Sequence, residues 1–169
     1  LAALGEIGDA RALPRIERAA RDARPEMRYQ AAIARARMAS GEALVEALAD
    51  AISDEDPNVR YIGLRLIEER VHEPRVREAV RSEKLSLGKK VHDALEEGET
   101  PVTVASALVL ARAGDRSVVP LLLRVARREV KVAKEDEEAV LEMLGALGVS
   151  EARPILETRA FGLRSYFEE

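Results

Sequence analysis

The two histidines of the chain each precede an acidic residue, in His72-Glu73 and His92-Asp93. Imidazole and carboxylate side chains are common ligands of divalent metal ions. A metal site, however, needs three or four ligands that converge on one point and are oriented by further hydrogen bonds. Two short pairs supply less than that, so the sequence predicts no metal site, and we expect His72 to lie in a solvated turn.

Nucleophilic catalysis and phosphate binding also lack their motifs. The chain has no cysteine, and no serine stands in a nucleophile-elbow motif with a histidine partner. The serines considered are Ser40, Ser53, Ser82 and Ser86. The segment Leu87-Gly88-Lys89-Lys90 lacks the second glycine and the Ser or Thr of a P-loop. We therefore predict a protein without catalytic residues and without a bound cofactor.

Charged residues change in sign along the chain and are the remaining candidates for a functional surface. Segments 11–22, 75–84 and 116–131 carry a net positive charge, whereas segment 42–54 is net negative. Such a surface would select a protein partner by charge, because charges at the rim of an interface steer association. The residues predicted to contact the partner are Arg15, Arg18, Glu46, Asp50, Arg77, Arg81, Arg124 and Arg128.

The composition limits the class of protein. The chain has 169 residues, of which 47% are apolar and 3% aromatic, with 27 basic and 31 acidic side chains and neither Cys nor Trp. Without cysteine there is no disulfide framework or zinc ribbon, and the apolar content is too high for a disordered chain. No apolar run is long enough to span a membrane, so we expect a cytoplasmic protein. Ala, Leu, Arg and Glu dominate, and all four favour helices.

Two short motifs recur and define the elements that must position these charges. The first is a Gly-containing turn followed by a proline, in 4–9, 110–115 and 144–148. The second is a Pro-x-x-Arg-Tyr start, at Pro25 and again at Pro57. Apolar residues at helical spacing follow each start, so every unit is predicted to contain two helices.

The chemistry of these motifs predicts where the helices begin and end. Pro25 and Pro57 fit the first turn of a helix, where the N–H that proline lacks would be unpaired anyway. A glycine in the left-handed conformation then ends the first helix. The glycines at this position are Gly8, Gly114 and Gly148. Asp9 and Asp115 are expected to cap the second helix by accepting its free N–H groups.

Together the motifs divide the chain into five units, at about 1–22, 23–54, 55–99, 100–133 and 134–160, with 161–169 left as a C-terminal tail or cap. The third unit is too long, and its extra segment, 83–99, has apolar residues at helical spacing. This stripe consists of Leu87, Val91, Ala94 and Leu95. We expect an additional helix that ends at Gly98. Because Leu1 falls inside a helical pattern, we also expect the chain to be a fragment of a longer protein.

These motifs resemble HEAT repeats, and more closely the bacterial HEAT-like repeats of the phycobilin (PBS) lyase type. Pro57, Val59 and Arg60 match the start of that pattern, and its end is matched by Leu4, Gly5, Ile7, Gly8 and Asp9. The resemblance implies a single all-α domain, an α-solenoid wound as a right-handed superhelix of about five helical pairs with one extra helix after the third. It also implies that the second helices line the concave face.

From these observations we predict a non-catalytic protein–protein interaction scaffold with a mixed-charge concave surface. Two alternatives stay open. One is a subunit of a phycobilin-lyase-like enzyme, although a tetrapyrrole pocket would need more aromatic wall than Tyr29 and Tyr61 provide. The other is a module that binds the nucleic-acid backbone, which would need a continuously basic groove. The net charge of −4 makes nucleic acid the less favoured partner.

Overall fold

The computed structural model describes residues 10–164, and these residues form helices and turns without a strand. The helices are α1 Leu13–Ala19, α2 Pro25–Met38, α3 Gly41–Ala51, α4 Pro57–Arg70, α5 Pro74–Arg81, α6 Ser86–Glu97, α7 Thr100–Ala113, α8 Val119–Ala126, α9 Lys134–Ala146 and α10 Arg153–Arg164. Short 3-10 turns, Ala10–Ala12 and Ser150–Ala152, precede α1 and α10. The predicted turn at Gly8 and Asp9, and the tail beyond Arg164, lie outside the described residues.

The helices pair as the repeat pattern predicts. Helices α2, α4, α7 and α9 are the first helices of successive units, and α3, α5, α8 and α10 are the second helices that follow them. Helix α1 is the second helix of the first unit. The extra helix predicted within 83–99 is confirmed as α6, which buries Leu87 and Val91 and ends just before Gly98.

Local chemistry sets most of the helix ends. Pro25 and Pro57 are the first residues of α2 and α4, as predicted. Gly114 ends α7 with a φ of +102°, a conformation that side-chain-bearing residues rarely adopt. The predicted cap at Asp115 is wrong: its carboxylate accepts the N–H of Ser117, and α8 begins two residues later without a side-chain cap. Asp115 therefore shapes the turn before α8 and not the helix end itself.

Neighbouring helices stack in the order of a solenoid. Helix α2 packs on α4, α4 on α7, and α7 on α9. The second helices fill the spaces beside this row, with α3 against α2 and α4, and α8 against α7 and α9. The extra helix α6 packs against α3, α5 and α7 and so widens the second-helix layer at the third unit. The predicted all-α solenoid with an inserted helix is confirmed.

Helix α7 is enclosed by its neighbours, and the main core forms around it. Ten of its residues are buried, and its exposed residues are Thr100 and Pro101 in the first turn and Arg112 in the last, which is typical of a helix surrounded by others along most of its length. Beside it, the Tyr61 hydroxyl on α4 donates a 2.7 Å hydrogen bond to the carboxylate of Asp136 on α9, which is 2% exposed. This bond joins the third unit to the fifth across α7.

A second, smaller apolar cluster lies between α1 and α2. It consists of Ala12, Ile16, Ala19, Ala31 and Ala34, with Ala20, Met27 and Met38 packed at its edge. Most of these side chains are small, so the two helices approach closely but bury little apolar area. The N-terminal unit is therefore held by fewer apolar contacts than the units around α7.

Candidate interaction surface

A groove with a volume of about 500 Å³ lies between α3, α5 and α6 on the second-helix side. Its lining comprises Glu42, Val45, Glu46, Ala49 and Asp50 of α3, Arg75, Glu78 and Ala79 of α5, and Leu85, Ser86, Leu87 and Lys90 at and within α6. Its walls are charged, whereas its floor is apolar. We call this cavity the acidic groove.

The helices place these side chains through ordinary amphipathic packing. Leu44 and Leu48 of α3 point into the core with no exposed surface, which turns Glu46 and Asp50 outward. Helix α6 forms the far wall because it lies against the end of α5. Gly88 permits this approach, since a Cβ there would lie 2.3 Å from the Ser82 carbonyl oxygen, closer than any carbon–oxygen contact allows.

The charged groups of the acidic groove are unequally neutralised. Asp50 accepts a 3.0 Å hydrogen bond from Arg35, and Lys90 donates from Nζ to the Ala49 carbonyl oxygen at 3.2 Å. Arg75 and Glu42 form a loose exposed pair at 3.7 Å.

Two carboxylates of the groove have no such partner. Among the described residues, no cation pairs with Glu46 or Glu78, which line the walls on α3 and α5. The groove therefore keeps two carboxylates that are free to meet an incoming cation.

All eight residues predicted to contact a partner are exposed, but the structure does not gather them at one place. Glu46 and Asp50 lie together in the acidic groove. Arg77 points to another side of α5, where it lines a separate cavity and donates to the Val71 carbonyl oxygen at 3.3 Å. Arg15 and Arg18 lie on α1, which contributes nothing to the groove. Arg81 is the last residue of α5.

The positive charge predicted for the second helix of the fourth unit is only partly on that helix. Helix α8 ends at Ala126, so Arg124 lies on it, but Arg128 lies in the following turn with a φ of 61°. The Arg128 guanidinium donates to Glu137 of α9 at 3.0 Å. Arg159 also donates to Glu137, and the two arginines, against the opposing effect of burial, hold the pKa of this carboxyl below its ordinary value. Arg128 therefore joins two elements, which corrects its placement on the second helix.

The cavity beside Arg77 has a volume of about 490 Å³ and surrounds a buried carboxylate. Glu68 of α4 accepts hydrogen bonds from Arg65 at 2.6 Å and from Arg112 of α7 at 2.7 Å. Its side chain is 7% exposed, and a carboxylate so shielded needs such partners. This ion-pair cluster fastens α4 to α7, so it has a structural role.

The His72-Glu73 pair forms a turn, as predicted, and is occupied by local hydrogen bonds. His72 is exposed and its Nδ1 lies 2.9 Å from the Glu69 carbonyl oxygen. The Glu73 carboxylate accepts from Arg70, whose Nη1 also donates to the carbonyl oxygen of Ala36 at 2.9 Å. Within residues 10–164, no group of three His, Asp or Glu side chains is arranged to hold a metal ion.

An arginine at the same position of two units anchors the turns on the first-helix side. Arg28 and Arg60 each donate from Nη1 to two carbonyl oxygens of the turn that precedes their own helix. Arg28 also reaches the turn before α4, where Nε and Nη2 donate to the two carboxylate oxygens of Asp54 at 2.8 and 2.9 Å. Burial alone would raise the pKa of Asp54, but the hydrogen bonds from Arg28 and from the Asp56 N–H outweigh it and lower the pKa.

Of the residues that line the groove, the sequence predicted Glu46 and Asp50 as contact residues but not the others, which include Arg75, Glu78, Leu85 and Lys90. Arg75 and Glu78 follow the i, i+3 spacing of one face of α5, whereas Arg77 and Arg81 follow the i, i+4 spacing of another. Both faces of α5 are charged, so spacing alone does not identify the one that turns toward α3. Leu85 is 45% exposed, and the available sequence signal was that this leucine lies outside the apolar stripe of the extra helix.

The comparisons with known proteins agree with this architecture. Residues 1–68 match a family model described as HEAT repeats. Neither the curated proteins nor the solved structures provide a match. None of the helices in the described part of the chain is both long and apolar enough to cross a lipid bilayer. The N-terminal units of this all-α solenoid, up to the end of α4, are thus similar to HEAT repeats.

Proposed function

We propose that the protein is a non-catalytic scaffold that binds another protein through the charged surface of its second helices. HEAT repeats are generally protein-interaction scaffolds, and the match covers residues 1–68. Each second helix turns its apolar stripe toward the first helices, so its charged side faces outward. A row of such helices presents charges at regular intervals to a partner that lies across several units.

The main support for this proposal is that the predicted contact residues are exposed and that several of them lack an ion-pair partner within the part of the chain that the structure describes. These are Arg15, Arg18, Glu46, Arg77 and Arg81. Charges that already pair within their own chain have less to offer a partner, whereas unpaired exposed charges steer association and select among partners.

Site-specific photocrosslinking tests the proposal. A photoreactive amino acid is placed at Arg15 or Arg81 on second helices, and at Glu142 as a matched exposed position on the first helix α9. Crosslinking is carried out in a lysate of the source cells, and the products are identified by mass spectrometry. We expect one protein partner to be crosslinked from Arg15 and Arg81 but not from Glu142. Equal crosslinking from all three positions, or from none, would contradict the proposal.

A further inference from the structure

We infer that the acidic groove binds a short basic segment of a partner protein that carries an apolar side chain. This inference rests on the proposed function and assigns part of the second-helix surface to one kind of ligand. The groove is also where the extra helix α6 breaks the repeat, since α6 packs against both α3 and α5 and supplies the far wall. The other units of the described chain have no helix in that position.

The apolar floor of the acidic groove is the reason to expect an apolar side chain in the ligand. Val45, Ala49, Ala79 and Leu87 line it. Leu85 stands at its edge with 45% of its surface exposed, and among the described residues Leu13 is the other large apolar side chain counted as exposed. A volume of about 500 Å³ lies in the range of clefts that enclose small ligands. An apolar side chain that covers Leu85 removes apolar surface from water, which favours binding.

The carboxylates on the walls of the acidic groove are the reason to expect a basic side chain in the ligand. Glu46 on α3 and Glu78 on α5 line the groove without a cation partner among the described residues. The two cations of the groove are engaged, Arg75 with Glu42 and Lys90 with the Ala49 carbonyl oxygen. A lysine or arginine of the ligand therefore meets free carboxylates, whereas an acidic segment or a nucleic-acid backbone is repelled.

Fluorescence anisotropy with labelled peptides tests the inference directly. The probe is a short peptide of alternating Lys and Leu residues, and two comparison peptides replace Lys by Glu or Leu by Ser. We expect saturable binding of the Lys-Leu peptide and an affinity at least about tenfold weaker for each comparison peptide. Equal binding of the Lys-Ser peptide would show that charge alone is recognised, and equal binding of the Glu-Leu peptide that charge is not recognised. Either result would overturn the inference.

Variants of the full chain locate the binding. The double variant Glu46→Lys/Glu78→Lys reverses both free carboxylates, and Leu85→Ser removes the apolar edge. The matched control, Glu96→Lys/Glu142→Lys, makes the same change of net charge at two exposed residues outside the groove. Circular dichroism checks that each variant is folded. We expect both groove variants to weaken the Lys-Leu peptide about tenfold and the control less than about twofold. Equal weakening by control and groove variants would refute a site in the groove.

Experiments with the natural partner distinguish a failure of this inference from a failure of the proposed function. If a partner crosslinks from Arg15 and Arg81 but its capture is unaffected by Glu46→Lys/Glu78→Lys and by Leu85→Ser, the scaffold function stands and the groove assignment falls. If no partner crosslinks from the second helices while the groove variants still weaken the peptide, the groove stands as a peptide site and the wider second-helix surface does not.

Discussion

The two apolar clusters of the protein differ in how they hold helices together. Between α1 and α2 the contacts are made largely by alanines around a single isoleucine, Ile16. Around α7 they are made by leucines and valines, and ten residues of that one helix are buried. Small side chains allow close approach, but large ones remove more apolar area from water, and stabilisation grows roughly with that area. Most of the apolar stabilisation therefore lies around α7.

Ion pairs compensate where apolar burial is small. Arg35 of α2 pairs with Glu17 of α1 and with Asp50 of α3, at 3.0 Å in both cases, so one guanidinium bridges three helices. Arg28 joins α2 to the turn before α4. The family match lies on residues 1–68, where these pairs occur. The recognisable repeat sequence thus covers the N-terminal cluster and only part of the largest apolar core, whose central helix α7 lies beyond residue 68.

The largest effect is expected from a leucine of the central helix. Leu108 of α7 has no exposed surface, so Leu108→Ala leaves a cavity that the enclosed helix cannot fill. We expect a loss of about 3 kcal/mol in the free energy of unfolding, measured by urea denaturation. The matched control is Leu13→Ala in α1, where the leucine is 41% exposed and the cost should stay below about 1 kcal/mol. Equal losses would contradict the enclosure of α7.

The second largest loss in the free energy of unfolding is expected from the hydrogen bond between Tyr61 of α4 and Asp136 of α9. Tyr61→Phe removes the hydroxyl that serves the buried Asp136 carboxylate and leaves that carboxylate unpaired, which should cost about 2 kcal/mol. Tyr29 occupies the equivalent position of α2, and within the described residues its hydroxyl makes no hydrogen bond. Tyr29→Phe is therefore the control, expected to cost less than about 0.5 kcal/mol. Similar losses for both variants would show that the bond between units is unimportant.

The ionisation of Tyr61 can also be followed by ultraviolet spectroscopy. Burial, followed by the hydrogen bond to Asp136, raises the pKa of Tyr61 to about 12. Because the unfolded chain ionises its tyrosines at a lower pH, this contribution to stability is complete below the ordinary tyrosine pKa and is lost as the pH rises through the raised value. Ultraviolet titration of the parent should show a phenol that ionises near pH 12, and this step should be absent from Tyr61→Phe.

A smaller and more local effect is expected at the N-terminal cluster. Ile16→Ala removes the one large side chain that is fully buried between α1 and α2. In a solenoid each unit contacts only its neighbours, so damage at one end stays there. Hydrogen exchange should show faster exchange in α1 and the facing side of α2, whereas α7 keeps its protection. Because the damage stays at this end, we expect the global free energy of unfolding to fall by only about 1 kcal/mol. Loss of protection in α7 would show that the two clusters unfold together.

The helix ends and the inserted helix were predictable because their chemistry is local. A proline such as Pro57 tolerates only a few helix positions, and a glycine such as Gly114 adopts a backbone conformation closed to most other residues. The apolar stripe of α6 predicts an amphipathic helix without any knowledge of its neighbours. The cap at Asp115 failed because the carboxylate has a nearer N–H to accept, that of Ser117.

The candidate site was less predictable because it depends on how helices are rotated against one another. The largely apolar sequence of α7 is typical of a buried helix, but it does not say which helices enclose it. Likewise, both faces of α5 are charged, and only its packing against α3 and α6 brings Arg75 and Glu78 into the groove in place of Arg77. Arg128 was misplaced because the positive charge continues past the point where α8 ends.

The smallest loss in the free energy of unfolding is expected from Asp54→Asn. This variant tests the ion pairs of the N-terminal region apart from its apolar contacts. The Asp54 carboxylate receives hydrogen bonds from Arg28 and from the Asp56 N–H, which lower its pKa against the opposing effect of burial. A lowered pKa stabilises the folded state above the ordinary Asp value, and this contribution is lost as the pH falls through the lowered value. Asp54→Asn should therefore cost roughly 1 kcal/mol at neutral pH, and the difference from the parent should shrink below about pH 4.

The control for this change is Asp93→Asn, an exposed carboxylate of α6 without an ion pair among the described residues. Its difference from the parent at neutral pH should be small, because the variant removes no ion pair that the structure describes. Urea unfolding between neutral and acid pH measures both variants, and added salt should reduce the Asp54 effect only modestly, because the Arg28–Asp54 pair is mostly shielded from solvent. If the cost of Asp54→Asn did not change with pH, the pair would hold α2 to the turn before α4 by shape and hydrogen bonding without help from its charge.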